Sequence, residues 1–409
     1  MSILKVNIKH DAGSYEKSSY KREITDGNAL YDAYLQAKRG SDWKPHAQRF
    51  EMNHLVELAK IQRGLESETL TFRQPSTFVV NERGKSRAIT GEQIHDRIVK
   101  RCLCDEALLP AIHDRLIYDN GASLKGRGIT FSRNRLDTHL RRFYKEHGNQ
   151  GYILLVDYVK YFDNIRHKEF VGLFDLPETE SWLLSQTVKQ SRVDVSYMDD
   201  ETFKGAMDSV FNSLDHQKID RSRLTGEKYL DKHLNIGDQV SQVAGIAYPT
   251  PIDNYIKIVR GVRYYARYMD DSYVVHHDRE YLEELWQDIV EQAKKIGITI
   301  HPHKTRICKL SDKWRFLQIQ YSLTETGRII KKIHPKRMTT MRRKLKKLAP
   351  LLPEKEFQNL YQSWFLNHYK MMSRLQRENI EKLYKELTKE APTWHSHLKV
   401  IGLAKEWII

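Results

Sequence analysis

The stretch RYYARYMDDSYVVHH at residues 263–277 is the most informative part of this chain, because two β-prone segments flank a short acidic turn. The same tetrapeptide, YMDD, also occurs at residues 197–200 within RVDVSYMDDETFKG. The earlier copy has β-prone residues only before it, and Glu201 and a polar, helix-like segment follow. The sequence therefore predicts a strand–turn–strand hairpin at the later copy alone, with Asp270 and Asp271 at its tip.

A third acidic residue stands in LLVDYVKYFDNI at residues 154–165, where Asp157 ends a short apolar run typical of a buried strand. Two-metal phosphoryl transfer needs clustered carboxylates that hold two cations about 3.5–4 Å apart. Taken alone, an Asp at a strand end is typical of a turn. With the hairpin downstream, we predict that Asp157 joins Asp270 and Asp271 in one metal site.

The composition of the 409 residues favours a polyanionic partner. The chain has 68 Lys and Arg against 53 Asp and Glu, a formal net charge of +15. Basic side chains that neutralise phosphates release counterions, so nucleic acid is favoured over a merely basic soluble enzyme. Three cysteines and scattered histidines do not fit a zinc site or a disulfide framework. No apolar run reaches the roughly 18–20 residues of a membrane span, and we expect a cytoplasmic protein without a membrane partner.

Seven motifs in order, spread over roughly residues 28–335, resemble the prokaryotic reverse transcriptases of retrons, diversity-generating retroelements and group II introns. They are KSRAI with DRIVKRCL (85–103), YDNGASLKGRGITFSRNRL (118–136), VDYVKYFDNI (156–165), IGDQVSQVAGIAYPTPIDNYI (236–256), YMDD (268–271), HPHKTRIC (301–308) and RFLQIQY (315–321). The earlier YMDD falls where this family has no catalytic element, which favours the later copy again.

The resemblance implies an α/β right-hand polymerase with helical fingers, an antiparallel-sheet palm and a short helical thumb. We expect an N-terminal helical extension at 1–70, fingers at 71–150, a palm at 151–330 and a thumb at 331–409. Two helices are predicted within 28–70, a hairpin turn at Arg83-Gly84, and a helix that ends near Pro110. Residues 193–235 are interpreted as a polar surface insertion with helical stretches and no buried strand.

The resemblance also assigns the chemistry. Asp157, Asp270 and Asp271 would bind two Mg²⁺ ions, with Mn²⁺ as a possible substitute, since Mg²⁺ prefers carboxylate oxygens. Lys304 is similar to the lysine that approaches the leaving pyrophosphate as a general acid, although a surface salt bridge suits it nearly as well. Asp163 is interpreted as the N-cap of a helix starting at Asn164 rather than as a ligand.

Three groups of residues would bind the incoming nucleotide. Phe162 matches the position beneath the sugar, where a bulky ring excludes a ribose 2′-OH; an ordinary core aromatic is the alternative. The remaining candidates are Lys85 and Arg87, which would grip the triphosphate unless they form a solvated basic turn, and Gly237, Ser241 and Gln242, which would pass beneath nucleotide and template. Ile236-Gly237 and Ser241-Gln242 depart from the intron-type Gln-Gly and Ser-Pro and resemble the retroelement branch instead.

Further basic residues would bind the template and product. Arg97 and Arg127 are expected to position template phosphates. The basic run 331–347, including Lys336, Arg342 and Arg343, would track duplex phosphates as a thumb helix, although charge runs are commonly just solvated. Phe316 and Leu317 match a primer-grip turn or belong to the core.

The sequence thus predicts an RNA-directed DNA polymerase that copies RNA, in particular an associated noncoding RNA, into cDNA from dNTPs, with anti-phage defence as the favoured role. The enzyme of a diversity-generating retroelement or a retron is an alternative. An RNA-dependent RNA polymerase and a catalytically silent RNA-binding scaffold also stay open.

Overall fold

The computed structural model describes residues 22–82 and 85–390, which combine helices with antiparallel sheets. The α-helices are α1 (Gly27–Lys38), α2 (Pro45–Met52), α3 (His54–Glu66), α4 (Ile94–Cys102), α5 (Leu109–His113), α6 (Ile129–His147), α7 (His167–Val171), α8 (Glu178–Gln190), α9 (Asp200–Ala206), α10 (Ser213–His216), α11 (Gln239–Ala247), α12 (Thr250–Asn254), α13 (Arg279–Lys295), α14 (Pro335–Leu348), α15 (Glu354–His368) and α16 (Arg374–Thr388). Among these described helices, none is both long and apolar enough to cross a membrane.

The strands are β1 (Ser76–Glu82), β2 (Lys85–Gly91), β3 (Tyr152–Val156), β4 (Val193–Asp194), β5 (Tyr229–Leu230), β6 (Tyr265–Tyr268), β7 (Asp271–His276), β8 (Arg306–Lys309), β9 (Trp314–Phe316), β10 (Ile319–Leu323) and β11 (Ile329–Ile333). The chain divides into two compact units, neither of which is one continuous segment. The first unit comprises residues up to Ile117, Lys160–Pro251 and Lys294–Thr299, and the second unit comprises Tyr118–Val159, Ile252–Ala293 and residues from Ile300 onward. The predicted domain boundaries, which are consecutive along the chain, stay a prediction.

The second unit is built on a four-stranded antiparallel sheet in the order β6-β7-β3-β8. Strand β3 is the apolar run at residues 152–156, and Ile153 and Leu154 are completely buried. An inner strand with both faces covered needs such a run of apolar residues. Strands β6 and β7 form the hairpin predicted at 263–277, so that prediction is confirmed.

The second unit also contains a three-stranded sheet of β9, β10 and β11, which the helices α14, α15 and α16 follow in the chain. Helix α14 is the predicted basic helix: it buries Met338, Met341 and Leu345 and exposes its cations on the other face, because these apolar residues recur at helical spacing. Leu317 and Gln318 have left-handed φ angles of 43° and 71° between β9 and β10. Two such residues are typical of the tight turn that suits the twist of a hairpin.

The first unit contains the N-terminal helices and the β1–β2 hairpin. The hairpin is confirmed over its whole length, from Ser76 paired with Gly91 onward, and its predicted turn at Arg83-Gly84 lies outside the described residues. The N-terminal region forms three helices rather than the predicted two. Asn53, with a non-helical φ of −127°, ends α2 and begins α3, and this break is absent from the hydrophobic pattern.

The helix predicted to end near Pro110 ends at His113, three residues beyond it. Helix α4 passes into a π-helical segment, Leu103–Leu108, and the chain continues as α5 to His113. Pro110 lies in the first turn of α5, where a backbone N–H is not required and the fixed φ of proline suits the helix. Pro110 therefore lies within the helical stretch, close to its end.

The insertion at 193–235 has a small hydrophobic core of its own, made of Val193, Val195, Ala206, Phe211 and Leu230. The predicted helical stretches are present as α9 and α10. The predicted lack of a buried strand is wrong, because β4 and β5 pair at the base of the insertion through buried Val193 and Leu230. Strands of two residues are too short to leave a period-two pattern in the sequence.

Candidate active site

The register of the central sheet brings three acidic residues to one end of it. Pairing of β3 with β7 ends at Val156 opposite Ser272, and pairing of β6 with β7 ends at Tyr268 opposite Asp271. Asp157 follows Val156 directly and Asp271 precedes Ser272, so both leave the sheet at the same end. Asp270 lies in the turn beside them, and all three acidic residues are partly exposed.

The turn that carries Asp270 is strained and is held from behind. Met269 has a φ of 54°, in the left-handed region that residues other than glycine seldom adopt. The guanidinium of Arg267 donates a hydrogen bond from Nη1 to the Met269 carbonyl oxygen at 3.1 Å. The strand before the turn therefore fixes the conformation of the turn.

Arg267 is fixed in turn by a buried acid. Asp253 accepts hydrogen bonds from Arg267 Nε at 2.9 Å and Nη2 at 2.6 Å, and from the hydroxyl of Tyr265 at 2.5 Å. Arg267 is 1% and Asp253 0% exposed. Burial lowers the pKa of Arg267, but the charge of Asp253 outweighs it, so the pKa of Arg267 is raised.

Sequence reasoning missed this ion pair. Its signals were an arginine inside the β-prone run YYARY and a single acid inside YPTPIDNYI. Either residue alone is compatible with an exposed position, and only the tertiary structure shows that the two are partners.

Lys304 lies against the first of the three acids. Its Nζ is 2.8 Å from Oδ1 of Asp157, and the carbonyl of Asp157 accepts a hydrogen bond from the N–H of His301 at 2.8 Å. Lys304 precedes β8, which pairs with β3, so the sheet that places Asp157 also delivers the lysine. With its side chain 48% exposed, Lys304 forms a salt bridge, as the alternative interpretation of this residue had it, and remains accessible to solvent; its role as a general acid stays a prediction.

The carboxylates of Asp157, Asp270 and Asp271 offer the oxygen ligands that Mg²⁺ prefers. As the side chains are placed, no three His, Cys, Asp or Glu residues within 22–82 and 85–390 lie close enough to hold an ion. Asp157 is instead neutralised by Lys304. The three carboxylates at this end of the sheet are therefore of the type that binds Mg²⁺. One of them, Asp157, is paired with Lys304.

The family model of the reverse transcriptase (RNA-dependent DNA polymerase) matches residues 81–321, more than half of the chain. The chain belongs to the reverse transcriptase family. It is accordingly an RNA-directed DNA polymerase, a nucleotidyltransferase that acts on a nucleic-acid template and dNTPs, in a family that generally uses divalent ions such as Mg²⁺. The predicted α/β polymerase fold is confirmed. A comparison with curated proteins gave no match.

In this reverse transcriptase the earlier YMDD has a different environment from the later one. Asp199 is the N-cap of α9 and accepts a hydrogen bond from the N–H of Thr202 at 2.7 Å, and this bond lowers the pKa of Asp199. Asp200 pairs with Lys228 at 2.6 Å. Tyr197 and Met198 pack against the small core of the insertion. Each residue of the first copy thus has a structural contact within the insertion.

Phe162 lies in a short 3₁₀ segment, Tyr161–Asn164, that is otherwise buried. Tyr161, Asp163 and Asn164 are 4–5% exposed, whereas Phe162 is partly exposed. The hydroxyl of Tyr161 donates to the carbonyl of Ala244 at 3.2 Å and anchors the segment. The ring of Phe162 therefore differs from an ordinary core aromatic, and its selection against ribose stays a prediction.

The prediction that Asp163 caps a helix at Asn164 is wrong. Helix α7 begins only at His167, and Asp163 is buried, where it accepts a hydrogen bond from the N–H of Ser213 at 3.1 Å and contacts Nδ1 of His233 at 3.2 Å. Burial raises the pKa of Asp163, but these hydrogen bonds outweigh it and the pKa is lowered. Asp163 fastens the insertion, a contact with residues 50 and 70 positions away that local sequence cannot show.

Gly237 has a φ of 113°, and a Cβ there would come within 2.9 Å of the Thr90 carbonyl oxygen. The N–H of Thr90 donates to the Ile236 carbonyl at 3.0 Å. The glycine was expected to admit a ligand, and here it admits the backbone of β2. Ser241 is buried and donates to the Asn235 carbonyl at 2.6 Å, whereas Gln242 is exposed.

The other predicted contacts in the first unit differ in accessibility. Arg87 is exposed on β2, and the side chain of Lys85, on the same strand, lies outside the described residues. Arg97 donates to the hydroxyl of Ser41 at 2.8 Å, and burial lowers the pKa of Arg97. Arg97 therefore has an internal partner, and its contact with template stays a prediction.

The predicted contact residues in the second unit also include some with internal partners and some that are exposed. Arg127 donates to the Asn120 carbonyl at 3.1 Å and lies 4.3 Å from the centroid of the Phe131 ring, so it braces its own loop. Phe316 is buried, and the Leu317 carbonyl accepts a hydrogen bond from Arg133 at 2.9 Å. The predicted duplex contacts Lys336, Arg342 and Arg343 are exposed on α14, as are Lys344, Lys346 and Lys347.

Proposed function

We propose that this reverse transcriptase is of the prokaryotic type and copies an RNA template, a structured noncoding RNA associated with it, into cDNA by a two-metal mechanism. The observation that carries the proposal is the strand register, which places Asp157, Asp270 and Asp271 at one end of the central sheet. A primer 3′-oxygen would attack the α-phosphorus of a dNTP there, with pyrophosphate leaving.

Asp157, Asp270 and Asp271 are the residues that would hold two Mg²⁺ ions, with Mn²⁺ as a substitute. When bound, the two ions would activate the attacking oxygen and stabilise charge on the leaving one. The contribution of the chain is positional: the sheet fixes Asp157 and Asp271, and Arg267 fixes the turn that carries Asp270.

Lys304 would supply the proton that the leaving pyrophosphate takes up. Its salt bridge with Asp157 supports this role, because the ammonium is held beside the carboxylates and remains half exposed. Lys85 and Arg87 would grip the triphosphate, and Phe162 would exclude the ribose 2′-OH.

Template and product would follow two sets of residues. Gly237, Ser241 and Gln242 would shape the segment beneath nucleotide and template, with Arg97 and Arg127 positioning template phosphates. The exposed cations Lys336, Arg342 and Arg343 on α14 would track the duplex, since phosphate contacts of this kind carry no sequence information.

For the biological role we propose anti-phage defence. The chain is longer than a minimal reverse transcriptase of the diversity-generating type needs to be, and it carries an insertion with its own core. Sequencing of the RNA that co-purifies with the protein, and of the cDNA made in cells, tests both template and role. Recovery of bulk cellular RNA without one dominant species would contradict the associated template.

The activity is tested with purified protein, its co-purified RNA and labelled dNTPs. We expect incorporation in Mg²⁺, none after chelation with EDTA, and recovery with added Mg²⁺ or Mn²⁺. Incorporation that persists after chelation would exclude the metal mechanism. RNA binding without any incorporation would favour a silent scaffold.

A further inference from the structure

We propose that the first unit carries a second nucleic-acid site, a groove between the β1–β2 hairpin and the insertion that binds an unpaired RNA strand. The groove has a volume of about 700 Å³, within the range of ligand clefts, and lies wholly inside the first unit. The inference goes beyond polymerisation and rests on the proposed function only for the choice of RNA over DNA.

The groove is distinct from the predicted triphosphate grip. Its hairpin wall is formed by Thr77, Ala88 and Thr90, where Thr77 pairs with Thr90. Side chains alternate between the faces of a strand, so Arg87 lies on the opposite face of the hairpin. The far wall comes from the end of α8 and from the insertion, which the polymerase mechanism does not otherwise use.

The charge of the groove suits a polyanion. Its charged lining consists of Arg73, Lys189, Arg192 and Arg221 against Asp194. Asp194 already accepts hydrogen bonds from the N–H groups of Ser196 and Gly226, both at 2.9 Å. Arg192 pairs with Asp231, whereas Lys189 and Arg221 are exposed and have no acidic partner within the described parts of the chain. Lys189 and Arg221 are therefore available to bind phosphates.

An aromatic side chain in the lining favours an unpaired strand over a duplex. Tyr229, on β5, is 44% exposed beside the basic residues. Proteins that hold single strands combine a basic groove with aromatic rings on which bases stack. The bases of a duplex are stacked on one another and offer no free face to such a ring.

Hydrogen bonds hold both walls in place before any ligand arrives. Thr90 on the hairpin donates from Oγ1 to the side-chain oxygen of Asn235 at 3.1 Å. On the insertion, Nε2 of His216 lies 2.7 Å from the carbonyl oxygen of Asp194 and donates to it. A groove with fixed walls loses less conformational freedom on binding.

The test measures binding of two labelled probes by fluorescence anisotropy without dNTPs: an oligouridine RNA and a blunt RNA duplex. In the variant Arg73→Gln with Lys189→Gln and Arg221→Gln, we expect oligouridine affinity to fall about tenfold or more, and the slope of log K against log salt to decrease by about 2, or ~0.7 per phosphate contact. Tyr229→Ala should weaken oligouridine binding by about fivefold or more with little change in slope. Duplex affinity should stay close to that of the unmodified protein in both.

A matched control removes three cations from the insertion outside the groove: Lys204→Gln, Lys218→Gln and Arg223→Gln. An equal loss of oligouridine binding in this control would mean that net charge alone acts, and would overturn the proposal. Unchanged oligouridine binding by Tyr229→Ala and by the groove variant, both with the melting temperature retained, would overturn it as well. Replacing Lys336, Arg342 and Arg343 by Gln should instead weaken binding of the RNA duplex probe. Because no dNTP is present, the assay measures RNA binding without polymerisation. A failure of the groove proposal is therefore distinguishable from a failure of the proposed polymerase function.

Discussion

The two YMDD copies have identical letters and opposite surroundings. The copy at 268–271 joins two strands of the central sheet through a strained turn, and its acids lie at the sheet end beside Asp157. The copy at 197–200 begins a seven-residue helix, and its first acid caps that helix. Identical residue types therefore take different structural roles, because strands lie on both sides of the later copy only.

The difference follows from what lies behind each copy. Behind the second copy is a buried ion pair, Asp253 with Arg267, whose guanidinium holds the Met269 carbonyl. Behind the first are the few apolar residues of the insertion core. A chemical site needs rigid support, whereas a helix cap needs only one hydrogen-bond acceptor.

The largest effect is expected when the acids of each YMDD copy are replaced in turn. Asp270→Ala with Asp271→Ala should reduce dNTP incorporation to background, because the ligands for the cations are lost. Asp199→Ala with Asp200→Ala should leave incorporation near that of the unmodified protein. A primer-extension assay on both variants measures the difference. Loss of dNTP incorporation in the variant Asp199→Ala with Asp200→Ala would reverse the assignment of the two copies.

The support of the second copy is tested next. Arg267→Met should lower the free energy of unfolding by about 3–5 kcal/mol, because Asp253 is left as an unpaired buried charge. The double variant Asp253→Leu with Arg267→Met should regain much of that stability, since apolar side chains often replace a buried pair without loss. Denaturant unfolding measures both.

The double variant should nevertheless stay slow in primer extension and need more Mg²⁺ for half-maximal rate, because the Met269 carbonyl is no longer held. The control pair is Arg260 with Asp288, which lies in the same unit away from the turn. Full activity of the double variant would show that the buried pair serves stability alone.

A smaller effect is expected at Phe162, which lies five residues after Asp157. Phe162→Ala should lower the ratio of kcat/KM for dNTP over rNTP roughly tenfold, because the ring no longer meets the 2′-OH. Tyr161→Phe is the control: it removes the hydroxyl that bonds the Ala244 carbonyl but keeps the neighbouring ring. An unchanged ratio in Phe162→Ala would leave the ring as a packing residue.

The smallest effect is expected at the cap of the first copy. Asp199→Ala should speed hydrogen exchange in α9 without altering the rate of polymerisation, because one helix N–H loses its acceptor. Asp199→Ser should restore most of the protection, since serine also caps helices. Unchanged exchange in Asp199→Ala would show that the cap does not stabilise α9.

Local patterns in the sequence predicted several elements well. The apolar run at 152–156 predicted β3, the β-prone flanks predicted β6 and β7, and the basic run at 331–347 predicted the helix α14. These signals have a short range, since a strand or a helix turn is encoded within a few residues. The break at Asn53 was missed because several local outcomes fit the same residues.

The residues alone gave the chemical groups of this reverse transcriptase: three acids on β-prone segments, an aromatic ring at 162 and a basic run at 331–347. Only the tertiary structure decided their partners. Lys304 meets Asp157, Arg267 meets Asp253, Gly237 meets Thr90, and Asp163 holds the insertion rather than a helix end. The physical reason is that strand register and burial depend on packing between segments far apart in the chain, while a residue's neighbours in sequence report only its local backbone.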